Sequence, residues 1–204
     1  YDESHDEAFR FPVQLVARHN GHEANDFRGY MGRVEAGSIS IGDQIVVQPS
    51  GQTATVKDIQ TLAGSQQTAS VGQSVTILLN EYVDISRGDM LASADKPATI
   101  LKQVEADICW LSEEAVDLRR KYWLKHTTRQ VAARVASIDT LLDINTQERR
   151  TTDTLKLNDI ARVKINVQQA LAADAYTLNR STGAFILIDE VTHQTVAAGM
   201  IRLG

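Results

Sequence analysis

At 204 residues the chain has room for one large domain or two of about 100 residues each. Its 43% hydrophobic and 23% charged content fits a globular protein, not a disordered, collagen-like or membrane one. A net charge of −5 argues against a nucleic-acid partner, because phosphate binding depends on Lys and Arg releasing counterions. No apolar run approaches the roughly 18 residues of a membrane helix, and the start YDESHDEAFRFPV is not a secretion signal. A single cysteine, Cys109, cannot close an internal disulfide. The expected location is the cytoplasm, with no membrane partner.

Period-two hydrophobicity dominates from the start. FPVQLVA predicts a strand, and the polar run ARHNGHEANDF after it holds His19, His22, Glu23 and Asp26 in a loop. GSISIGDQ has the glycine spacing of a nucleotide-binding P-loop, G-x-x-x-x-G-K-[ST], but carries Asp43 and Gln44 where Lys and Ser/Thr are needed. The adjoining run QIVVQPSG is β-branched and ends at Pro49, so the stretch is expected to be turn, short strand, turn, with Ile39 and Ile41 inward. Further strands are predicted at TATVKDIQTL and SVTILL. The composition shifts at ASADKPATIL, where Pro97 interrupts pairing, and a domain boundary is expected there, giving domains 8–95 and 99–204.

Beyond it, VEADICWL, RQVAARVASI and RVKINV alternate apolar residues with Glu105, Asp107, Gln130, Arg134, Arg162, Lys164 and Asn166, so these strands are wet on one side. AFILIDEV and TVAAGMI are also β runs. SEEAVDLRRKYWLKH and VQQALAADAY are open between short amphipathic helix and connecting loop. From the residues alone the class is all-β, a small barrel or a sandwich.

No reaction centre emerges. DFRG, Asp26 to Gly29, spells the D-x-x-G of a GTPase switch, but no P-loop lysine or N-K-x-D accompanies it. His19 and His22 could meet a stray metal, yet a structural zinc site needs four ligands. Trp110, Tyr122 and Trp123 could form a stacking platform, although packing in the core or at a barrel rim is the favoured reading. No catalytic, cofactor-binding or metal residue is assigned.

The stretch FRGYMGRVEAGSISIGDQIVVQPSG, with ASVGQSVTILL and DISRGDML after it, resembles the second domain of translational GTPases such as elongation factor Tu. FRFPVQLV, DFRGYMG, VEADICWL, DINTQE, LKLNDIARVKI and above all NRSTGAFILIDEVTHQTVAAGMI are similar to the large, GTP-hydrolysing subunit of bacterial sulfate adenylyltransferase, from Phe9 to Ile201. The resemblance implies two consecutive small closed β-barrels of the domain 2 and domain 3 type. It also implies an upstream G domain carrying GTP and magnesium, which would account for a start at Tyr1 instead of a methionine. The implied partners are that G domain and a small catalytic subunit that makes adenylyl sulfate. In some members a fused adenylyl-sulfate kinase lies at the C-terminal end. The turn markers of the pattern are Gly29, Gly32, Gly37, Gly42, Asp43, Gly51, Gly72, Gly88, Gly183 and Gly199.

On this reading the residues are a non-catalytic part of an enzyme. The alternatives are a tRNA- or protein-binding barrel module of a translation-factor-like GTPase, and a free-standing scaffold. Two departures stand out: RHNGHEANDF is longer than the family's connection, and LRRKYWLKH lacks the glycine expected before its tyrosine.

Overall fold

The computed structural model describes residues 8–19, 27–143 and 146–203. The chain divides into two compact units, Tyr1–Ala98 and Thr99–Gly204.

The first unit contains β1 (Arg10–His19), β2 (Phe27–Arg33), β3 (Ser38–Ser40), β4 (Gln44–Gln48), β5 (Gln52–Thr61), β6 (Gly64–Ser65), β7 (Thr68–Ser70), β8 (Ser74–Leu79) and β9 (Met90–Ser93). Its main sheet runs β4-β9-β1-β2-β8-β5-β6, and β4 also pairs with β5, so the ring closes with β6 left outside and β3–β7 as a separate ribbon. Closure removes the free edges that an open sheet would expose. The alternating residues turn Phe11, Val13, Ile45, Val47, Val56, Ile59 and Ile77 inward, all but excluded from solvent. Phe9 stacks on Phe11 with ring centroids 6.2 Å apart. Residues 96–98, within the stretch where the composition shifts, are tied to this unit. Gln48 exchanges two hydrogen bonds with the backbone of Ala98, at 2.8 and 3.0 Å, and buried Arg10 donates to the Lys96 carbonyl at 2.7 Å.

The second unit contains β10 (Thr99–Trp110), β11 (Tyr122–His126), β12 (Arg129–Leu142), β13 (Arg149–Arg150), β14 (Ile160–Ala173), α1 (Arg180–Gly183), β15 (Ala184–Asp189) and β16 (Thr195–Arg202). The order β11-β15-β16-β10-β14-β12-β13, with β11 also pairing β12, closes a second ring. Val104, Ala106, Ile108 and Trp110 of β10 meet Val163 and Ile165 of β14, Leu124 of β11 and Leu187 of β15 in its interior. Trp110 packs edge-on to Tyr122 at 5.9 Å and donates its indole N–H to the Glu114 carbonyl at 2.8 Å, so both aromatics belong to the core and not to an exposed stacking platform. The outward residues Glu105, Gln130, Arg134 and Asn166 are exposed, while Asp107, Arg162 and Lys164 are half-buried.

The two-barrel, all-β architecture implied by the resemblance is the one present. Neither ambiguous stretch is helical: residues 112–121 and 174–176 are connecting loop, and the rest is strand. Residues 167–173 finish β14, because their backbone completes ladders: Val167 pairs with Ala133, and Leu171 with Leu101 after a register jump. Tyr122–His126 is β11, whose pairings with both β12 and β15 close the second ring.

One turn recurs in both units. In Ser40–Asp43, Ser70–Gln73, Ser86–Asp89 and Lys156–Asp159, the fourth residue's N–H donates to the first residue's carbonyl, at 3.0 to 3.1 Å. The third residue has positive φ (Gly42 96°, Gly72 89°, Gly88 96°, Asn158 70°). The fourth side chain reaches back to accept from the first N–H, at 2.8 to 3.0 Å. Each turn leads directly into a strand: β4, β8, β9 and β14. This is what GSISIGDQ builds: no helix starts after Gly42, and the Asp43 carboxylate is engaged by Ser40 N–H where a phosphate cradle would need a free cation.

Candidate docking face

The residues singled out in the sequence do not converge. Gly37, Gly42, Gly51, Gly72 and Gly88 take positive φ, as turn residues do. Gly29, Gly32, Gly183 and Gly199 are not turns, and the turn-marker reading needs correction there. Gly29 and Gly32 lie in the β2 ladder, Gly199 lies in β16 and Gly183 closes α1. The reason at three of them is close approach. A Cβ on Gly32 would strike the Pro12 carbonyl oxygen and the Phe11 ring, one on Gly199 would enter the Phe185 ring, and one on Gly183 would meet the Ala175–Tyr176 backbone. His22, Glu23 and Asp26 lie outside the described residues, as does the side chain of His19. Among the described residues no group of three or more His, Cys, Asp or Glu is placed to hold a metal ion.

The notable surface lies on the outside of the second barrel. Strand registers place one row of outward side chains side by side: Lys125 on β11, Ile186 on β15, Ala198 on β16, Cys109 on β10 and Ile160 on β14. The adjacent row is Ala184, Met200 and Asp107, then Arg162. Elsewhere this barrel alternates apolar-in with polar-out. On β15 and β16 the outward positions Ala184, Ile186, Ile188, Ala198 and Met200 are apolar too, so the sheet is apolar on both faces, the pattern of strands covered on both sides. The side chains frame a groove of about 590 Å³. Met200 is 42% exposed at its rim.

Charge sits at the edges. Asp107 accepts from Arg162 Nε at 3.2 Å and Arg202 Nη1 at 3.1 Å, so the carboxylate is already engaged, and Lys125 is exposed at the opposite end. One wall is the connection around Tyr176, whose N–H donates to the Ile201 carbonyl at 3.0 Å. A buried clasp holds this wall to β11. His126 Nε2 donates to the Thr182 carbonyl at 2.6 Å, Thr182 Oγ1 donates to Asp174 at 2.7 Å, and Asn179 caps α1 by accepting from Thr182 N–H at 3.0 Å. Burial pushes the His126 pKa below its usual value, against the opposing pull of the Thr182 carbonyl and Asp174. The imidazole is therefore a neutral structural donor. Below the clasp, Asp189 accepts from Val191 and Thr192 N–H and from Arg120, bonds that together hold its carboxyl pKa below the usual range. In the sequence, Cys109, Asp107 and Arg162 stood out for other reasons and NRSTGAFILIDEVTHQTVAAGMI only as a resemblance; none of these residues was assigned to a groove or clasp. The available cue was the absence of any polar alternation in AFILI and VAAGMI.

Among the described residues, the second barrel presents one apolar outer face and no cluster of metal-ligating groups. The chain is 42% identical, over 98% of its length, to sulfate adenylyltransferase subunit 1 of Francisella tularensis subsp. novicida, and 43% identical over 94% to that of Teredinibacter turnerae. The chain is a relative of sulfate adenylyltransferase subunit 1. It spans 42% and 40% of those two relatives' lengths. The family model described as GTP-eEF1A C-terminal domain-like matches residues 103–202, nearly the whole second unit. Solved structures of sup35 complexed with GDP and with GMPPNP superpose with a TM-score of 0.84, covering 97% and 98% of this chain and 48% of each of theirs, at 20% and 19% identity. That likeness shows the fold, two β-barrels in succession. The name subunit 1 implies a second subunit in the relatives.

Proposed function

We propose that these residues are the two-barrel part of the large, GTP-hydrolysing subunit of a sulfate adenylyltransferase, whose intact enzyme forms adenylyl sulfate and pyrophosphate from ATP and sulfate. The observation that carries this reading is 42% identity across 98% of the chain to a relative of that name. Within such an enzyme the barrels act by contact. Closed sheets are stiff, so a change in a neighbouring nucleotide-binding domain reorients them as bodies, and the partner subunit experiences the difference as binding free energy. The residues here do not fit GTP or its magnesium: the P-loop-like spacing leads into β4, with Asp43 turned back on Ser40. No chemical step is assigned to these barrels; nucleotide and metal belong to a G domain outside them, and bond-making to the small catalytic subunit.

The test is reconstitution. The longer protein mixed with the small subunit should form adenylyl sulfate in a GTP-dependent manner, and residues 1–204 alone should form none. Turnover of ATP and sulfate by residues 1–204, or failure of both forms to bind the small subunit, overturns the proposal. Filter binding of tRNA at low salt separates the translation-factor alternative, which requires retention that falls steeply with added salt.

A further inference from the structure

The groove of the second barrel has a polar end that strand alternation builds. Lys125 and Thr127 are two residues apart, so both emerge beside the groove, while His126 between them turns inward to the clasp. Neither the Lys125 ammonium nor the Thr127 hydroxyl has a partner among the described residues. Thr127 also takes a φ of 54°, a left-handed backbone that a β-branched residue adopts only where its surroundings impose it, and such outliers concentrate at ligand clamps. The carboxylate in the lining, Asp107, is held by Arg162 and Arg202, so no free negative charge opposes an anion.

Away from that end the lining is Ile186, Ala198, Cys109 and Ile160. An apolar groove of about 590 Å³ with a few free polar groups at one end has the size and composition of a small-molecule site. The backbone of β10, β11, β15 and β16 spends its hydrogen bonds in ladders with neighbouring strands, so the floor offers none to the N–H and C=O groups of an extended peptide. An alkyl chain asks for none, and a carboxylate at its end needs one cation and one hydroxyl donor. We propose that the groove is a binding site for an amphiphilic carboxylate, a medium-chain fatty-acid anion, with its head on Lys125 and Thr127 and its chain over Ile186, Ala198 and Cys109. This assignment does not depend on the enzymatic reading.

The test is calorimetric titration of residues 1–204, and of the longer protein, with hexanoate, octanoate and decanoate. One ligand per chain should bind saturably, with affinity rising about tenfold for each two methylenes added. Decanoate should also slow alkylation of Cys109, the sole cysteine of these 204 residues, by N-ethylmaleimide in proportion to occupancy. Lys125→Met should weaken octanoate binding by about tenfold or more. Thr127→Gly, which relieves the backbone but removes the hydroxyl, should weaken it severalfold, and Thr127→Ser should retain it. Ala198→Glu, at an exposed position, should abolish it with the circular dichroism unchanged. Absence of saturable binding, octylammonium bound as tightly as octanoate, no effect of Lys125→Met, or alkylation indifferent to decanoate overturns the proposal. So does a longer protein that binds no decanoate while residues 1–204 do, because its own chain then fills the groove. Decanoate binding without adenylyl sulfate formation by the longer protein and the small subunit keeps the site and rejects the enzymatic reading; the opposite pair of results does the reverse.

Discussion

Gly42 and Gly199 are both glycines beside or within strands, and they are required for different reasons. Around Gly42 there is open space, so a methyl group meets nothing, but φ is 96°. Gly42→Ala should therefore cost only backbone strain, on the order of 1–3 kcal/mol. At Gly199 the new Cβ would enter the Phe185 ring, and overpacking of this kind costs about 1–3 kcal/mol. The two are separated by a double-mutant cycle: Phe185→Leu should make Gly199→Ala less damaging than additivity predicts and leave the cost of Gly42→Ala unchanged, both read as urea midpoints. His126 makes a pH prediction. Its pKa is lowered in the fold from 6.5, first by burial, with Arg129 adding a smaller effect. The unfolded chain therefore binds the proton more readily. The associated stability is intact above about pH 6.5 and is lost as pH falls below it. Denaturation midpoints should decline on acidification through that window, and His126→Gln should flatten the decline.

At the scale of elements, the recurring turn decides where strands begin. Asp43→Ala removes the acceptor for Ser40 N–H at the entry to β4. The bond is exposed, so the expected loss is about 1 kcal/mol, and Asp43→Asn, which keeps a carbonyl oxygen there, should lose less. Chemical denaturation of the two variants checks the order. GD at 42–43 and 88–89 was legible as turn chemistry in the sequence. Gln73 and the Asn158–Asp159 pair perform the same job without the same letters, because any side-chain acceptor and any residue tolerant of positive φ will serve. The strand ending at Ala173 was not legible. Gln168, Gln169 and Ala170 interrupt alternation, and it is pairing with Ala133 on β12 and with Thr99, Ile100 and Leu101 on β10 that holds that backbone extended.

Taken as a whole molecule, the chain has two separate cores, and each should unfold as its own cooperative unit. Both tryptophans lie in the second unit, so fluorescence reports on that unit alone. Leu155→Ala, at a fully buried site, should lower the fluorescence-detected stability by about 2–5 kcal/mol. Ile59→Ala, equally buried in the first unit, should leave the fluorescence transition in place and shift part of the circular dichroism change. Coincident shifts of both signals in both variants would contradict two independent cores.

Local pattern determined the class, the inward faces of most strands and the glycine turns, because period-two alternation and positive φ are properties of neighbours in sequence. The tertiary structure alone decided that the strands close into rings, that Gly32, Gly183 and Gly199 make room for Pro12, Tyr176 and Phe185, and that Cys109, Ile186, Ala198 and Met200 form one apolar outer face. Those facts depend on which strand lies beside which. Residues such as Cys109 and Ala198, far apart along the chain, become neighbours only through register, which no single strand carries by itself.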